Sequence, residues 1–155
     1  MPSPVKIPEL SATDKERIAQ SGIDLENKNR CGTYIQMDQD VVQAECGDSG
    51  IEVLSYKRAM EKYAWLKDYA WNVVSREKDD ITKYVAAQKD PKGYVIIAHK
   101  GSNNVMPVQA CLYLGKDQIQ HVHNIVIAEE GAELHVISGC ASGAHVGKGG
   151  AHYGV

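Results

Sequence analysis

The stretch that constrains this chain most begins at Gly93. From there to Val155 the sequence carries strand signals with no room for helices between them. Tyr94 to Ala98, Val108 to Leu114, Ile119 to Ala128 and Glu133 to Ser138 are short, β-branched and apolar. Turn residues divide them at Gly101-Ser102-Asn103-Asn104, Gly115-Lys116-Asp117 and Glu129-Glu130-Gly131. Connections this short fit antiparallel hairpins and the corners of a solenoid equally well. Gly131 to Val136 is weakly echoed by Gly150 to Val155, 19 residues on, which is the pattern expected of a β-solenoid.

Before Gly93 the pattern is different. Residues 1 to 12 hold three prolines and read as an extended start. Ser11 or Thr13 can cap a helix through Ala19 that stops at Ser21-Gly22. Thr33 to Met37 and Val41 to Ala44 are strand candidates around the turn Asp38-Gln39-Asp40, and Cys46 to Gly50 is another turn. Apolar residues at spacings of three and four predict one long helix over Ser55 to Val74, with Lys67 to Tyr69 as its point of division. Trp65 and Trp71 near its edges suit core or junction packing. Ile81 to Gln88 is a shorter helix. These signals divide the chain into a mostly helical region, 1–93, and a strand-rich region, 94–155.

Composition excludes several functions. The 155 residues are 43% hydrophobic and 24% charged, with net charge −3, so no basic surface for nucleic acid is expected. No apolar run approaches the ~18 residues that span a membrane, and the N-terminus lacks the apolar core of a signal peptide. A cytoplasmic, reducing setting is the expectation, in which the four cysteines act as thiols or metal ligands. Cys31, Cys46, Cys111 and Cys140 contain no Cys-x-x-Cys pair, so no self-contained cluster or zinc-ribbon site is expected. There is no nucleophile elbow, and the glycines of 143–150 do not end in the Lys-Ser/Thr of a phosphate loop.

The last third holds five of the six histidines. His121 and His123 alternate and share a strand face, as do Glu133 and His135. His121, His123, His135, His145 and His152 are the candidate metal ligands; a polar outer face of a strand is the simpler reading of each. Cys111, mid-strand, reads as buried packing. Cys140, in Ser138-Gly139-Cys140-Ala141-Ser142-Gly143, reads as a thiol at a strand end entering a turn. A protonated His145 nearby would favour its thiolate, which can accept the outer sulfur of a persulfide or ligate iron.

PVQACLYL, HNIVIAEEGAELHVISGC and the closing AHYGV resemble the SufB/SufD family of the SUF iron–sulfur cluster assembly system. CGTYIQMDQDVV and GIEVLSYKRAMEKYAWLKDYAW extend the resemblance to roughly residue 20. It implies an α+β fold: a helical N-terminal region, then the start of a right-handed parallel β-helix. Cys140 matches the cysteine that is a candidate sulfur acceptor in SufB proteins. The resemblance further implies a noncatalytic scaffold that accepts sulfur or holds a transient iron–sulfur cluster, with no cofactor needed for folding. Its expected partners are a SufC-type ATPase and a SufB or SufD chain. The chain stops within a strand signal, so it is expected to match only the front of a family member and to self-associate through an uncapped coil. The alternative is a hydratase or hydrolase on a β-solenoid, with zinc held by His121, His123 and His135 or His152; third is a purely structural interaction module.

Overall fold

A computed structural model describes residues 10–47 and 50–155. The proline-bearing start, 1–9, and positions 48 and 49 of the turn after Cys46 lie outside the described residues. The first helix, α1, spans Ala12–Gln20 and is capped by Ser11, whose hydroxyl accepts from the Asp14 amide. It ends where Gly22 takes φ 97°, a left-handed conformation that glycine adopts without strain. Strands β1 (Gly32–Met37) and β2 (Asp40–Cys46) form an antiparallel hairpin turning at Asp38, and β3 (Ile51–Ser55) leads into α2 (Tyr56–Lys62).

The single helix expected over 55–74 does not form. Helix α2 stops at Tyr63, whose backbone is extended (φ −124°, ψ 98°), and a 3-10 turn follows over Ala64–Asp68. At the break the Tyr63 hydroxyl donates to Glu52 of β3. Tertiary bonding thus competes with the helical period at this point. Helix α3 (Asp80–Ala86) starts at Asp79, whose carboxylate accepts from the Thr82 amide at 2.7 Å.

After Gly93 come β4 (Tyr94–Ala98), β5 (Val108–Leu114), β6 (Ile119–Val122), β7 (Ile125–Ala128), β8 (Val136–Ser142) and β9 (Ala151–Gly154). The strand expected over 119–128 is broken at His123-Asn124, where the chain turns a corner. There the His123 amide donates to Lys92, and the Asn124 carboxamide accepts from the Tyr94 amide.

Every pairing within 94–155 is parallel: β4 with β7, β5 with β8, and β6 with β9. Val95 faces Ile125, Val108 faces Val136 and Ile119 faces Ala151, offsets of 30, 28 and 32 residues. The 19-residue echo is therefore not the structural repeat; its first copy is the turn leading into β8, reaching the strand only at Val136, whereas its second copy is β9, in a different sheet. Among the described residues the open sheets run β2-β1-β5-β8, β3-β4-β7 and β6-β9, so β1 and β3 join strands from beyond Gly93. The described residues before Gly93 include three strands among short helices.

One apolar cluster draws Tyr34, Ala110 and Leu112 from the first sheet, Val53 and Ile96 from the second and Val122 from the third. On the outer face of the first sheet, Ile18 of α1 packs on Ile35, Cys111 and Tyr113. On the outer face of the second, Ala59 and Leu66 pack on Val95 and Ile97. Strand β4 is buried along its whole length, as its unbroken apolar run requires. No helix among the described residues is long and apolar enough to cross a membrane.

Candidate functional site

Strand alternation explains why Gly139 and Cys140 adjoin. Gly139 pairs with Cys111 and faces α1; a Cβ there would lie 2.6 Å from the Ser21 hydroxyl, so α1 can dock only on a glycine. Cys140 points the other way. It stands opposite Leu112, a residue of the shared core, and both line a cavity of about 290 Å³ with Leu114, Gln120, Ser142 and His152. Cys140 is thus the fifth residue of β8, not a turn residue, because the strand begins later and runs further than its composition suggests.

His152 is held in this cavity by Gln120. The Gln120 amide nitrogen donates to the carbonyls of Asp38 (2.7 Å) and Tyr113 (3.1 Å), which orients its oxygen towards His152 Nδ1 at 2.7 Å. Nδ1 must then carry the proton, leaving Nε2 with a lone pair. Both Cys140 and His152 are open to solvent at one side, yet enough protein surrounds them to disfavour charge. Burial pushes the Cys140 thiol up and the His152 ring down. Both groups are thus held neutral in one cavity, the thiol a weaker acid and the imidazole a weaker base than in water.

The expected partnership of Cys140 with His145 does not form. His145 is exposed and its Nε2 donates to the Gly115 carbonyl at 2.6 Å. Burial is the one influence acting on the Cys140 thiol, so the expected downward shift is replaced by an upward one. Cys111 is buried in the α1 cluster, where desolvation, helped by the nearby Cys140, pushes its thiol up to about 12.

The histidines are dispersed. His121 meets the Gln39 carboxamide at 3.2 Å, and His135 meets Glu133 at 3.0 Å on the surface. His123 is buried beneath Trp71. Among the described residues no three His, Cys, Asp or Glu side chains converge on a possible metal position, so the three-histidine zinc site does not form. The cause is topological. His121 and His135 flank different sheets, while His152 turns towards Gln120.

One polar centre was missed. Glu52 accepts from Lys62, from the Tyr63 hydroxyl and from His99 Nε2 at 2.5 Å, while His99 Nδ1 lies 3.6 Å from Glu129. Burial alone would raise the Glu52 carboxyl; these donors outweigh it and hold the group at about 2. Together they tie α2 to the ends of β3, β4 and β7. The sequence hint was an acid between Ile51 and Val53 in an otherwise apolar strand. Its histidine is 47 residues away and outside the histidine-rich third.

No family model matches the chain. An Archaeoglobus fulgidus "Iron-sulfur cluster assembly SufBD family protein" is 48% identical over 142 residues, covering 92% of this chain and 38% of the relative. A protein of the same description from Methanothermobacter thermautotrophicus (strain Delta H) is 41% identical over 136 residues, covering 85% of this chain and 33% of the relative. The chain therefore spans between 33% and 38% of the length of these curated relatives. Over that span, the chain belongs to the SufBD family of iron–sulfur cluster assembly proteins.

Proposed function

We propose that this chain is a noncatalytic scaffold segment of iron–sulfur cluster assembly, in which Cys140 accepts sulfur inside a right-handed parallel β-helix. The family membership supports the assembly role, and the parallel pairing at offsets near 30 residues supports the coil. The observation that carries the site is the cavity shared by Cys140 and His152. The thiol proton is assigned to the bare Nε2 of His152, the imidazole of the same cavity, against the opposition of burial to the charged pair. That thiolate attacks the outer sulfur of a donor persulfide, the S–S bond breaks and the donor leaves as a thiolate. The sulfur so gained is a ligand for incoming iron, and a nascent cluster is cargo here, completed by ligands from another chain. A SufC-type ATPase and a second SufB/SufD chain are the partners in this reading. The division near Gly93 then marks where the helices end and the coils begin, with β1 and β3 lending strands to the same sheets.

The test is sulfur uptake from a small-molecule persulfide, read by mass spectrometry after proteolysis. One added sulfur on the Cys140 peptide is expected, with none on the Cys111 peptide. His152→Ala should slow uptake, while His145→Ala should leave it unchanged. Uptake at Cys111 equal to that at Cys140, or full uptake by Cys140→Ser, would overturn the assignment.

A further inference from the structure

The corner between β6 and β7 holds two anomalies that lie outside the Cys140 cavity. His123 is 6% exposed, and neither of its ring nitrogens has a hydrogen-bond partner. A neutral imidazole carries one donor and one acceptor, and burying both unpaired is costly. Trp71 lies flat on this ring, with centroids 3.9 Å apart and planes 8° apart. Its own backbone has φ 61°, a left-handed conformation that is a genuine outlier for a bulky residue. Strain and an unsatisfied buried group thus meet at a single contact, the combination expected of an element held in one of two positions.

The groups facing the ring are few. Tyr56 of α2 meets it edge-on at 5.6 Å. The Arg76 guanidinium lies over the Trp71 indole, 5.5 Å from its centre, and acts on His123 as a like charge. The Val155 carbonyl lies close enough to favour a charged ring without completing a hydrogen bond. Two residues earlier, in β6, His121 turns instead to Gln39 and Tyr84. No Asp or Glu side chain among the described residues acts on the ring.

We propose that residues 69–76 form a cover held on His123 by the Trp71 stack, and that it lifts when the imidazole takes up a proton. A proton on the closed ring would sit in a nearly dry pocket near Arg76 with no acceptor fully formed. On the lifted ring it is solvated. Lifting also relieves the Trp71 backbone and frees the indole beside Val73, whose side chain is already 96% exposed.

The sign of the pH effect follows. Burial first, then Arg76, depresses the closed ring to about 4, against about 6.5 for a solvated histidine. The closed form therefore binds its proton less readily. Its advantage is complete above about pH 6.5 and is lost as pH falls towards 4. Between pH 7.5 and pH 5.5 the population of the lifted state should rise about tenfold.

Amide hydrogen exchange of residues 69–76 in the full chain measures this directly, after correction for the intrinsic pH dependence of exchange. The expected result is a tenfold rise in opening between those two pH values, abolished in His123→Phe, which keeps a stacking ring without a titrating nitrogen. An opening constant independent of pH, or one that retains its pH dependence in His123→Phe, overturns the proposal. Should His123→Phe not fold, the wild-type ring decides by proton NMR. A midpoint between the closed value of about 4 and the solvated value of about 6.5 supports a cover that lifts on protonation; a midpoint at about 4, from a ring that stays covered, or an ordinary one, from a ring never covered, overturns it.

Discussion

Replacing Glu52 by glutamine removes one charge and leaves three donors facing a weaker acceptor. Burial opposes ionisation of Glu52, yet hydrogen bonds from Lys62, Tyr63 and His99 bring it to about 2, from an ordinary 4.5. That gap is worth about 3.4 kcal/mol at 1.36 kcal/mol per unit. The Lys62 side chain is 47% exposed, so solvent screening reduces the net effect to about 2 kcal/mol. For a chain of this size that corresponds to a fall in Tm of roughly 4–8 °C at pH 7. Because the folded-state value is the lower one, the stabilisation is present above about pH 4.5 and is lost as pH falls towards 2. Urea denaturation of wild type and Glu52→Gln at pH 7 and pH 3 is the assay. The difference between the two proteins should shrink by more than half at pH 3. A difference below about 0.5 kcal/mol at pH 7, the level of an ordinary surface pair, would refute the reasoning. So would a difference that is the same at both pH values.

Two further outcomes test the packing and the edges. Gly139→Ala places a Cβ 2.6 Å from the Ser21 hydroxyl and 2.7 Å from its carbonyl, so α1 must shift. A loss of about 1–3 kcal/mol in urea denaturation is expected, and unchanged stability would show that α1 does not dock there. Strands β7 and β8 are each paired on one side only, as is β9. The chain should therefore self-associate with rising concentration, and a single monomeric species in sedimentation equilibrium would count against it.

What could be read in advance follows the range of the forces involved. The Ser11 cap, the Asp38 turn, the extents of β4 and β5 and the third helix are local features. Capping, turn geometry and side-chain branching act within a few residues. The long helix over 55–74 failed because Tyr63 answers to Glu52, which lies in another element. The strand over 119–128 failed because its middle forms a corner, bonded to Lys92 and Tyr94. The Cys140–His145 pairing rested on closeness in sequence, whereas His145 bonds to Gly115, 30 residues earlier.

The sequence by itself determined that residues after Gly93 are short strands with tight connections, that Cys111 is packing, and that Cys140 lies in a stretch shared with the SufBD family. Those properties are carried by residue type and by motif. Only the tertiary structure decided that the strands pair in parallel about 30 residues apart, that Cys140 shares a cavity with His152 while His145 bonds elsewhere, and that Glu52 gathers Lys62, Tyr63 and His99. Backbone pairing uses groups that every residue carries, so register is set by which faces can be buried together across the whole chain. A site assembled across that register has no spacing of its own in the sequence.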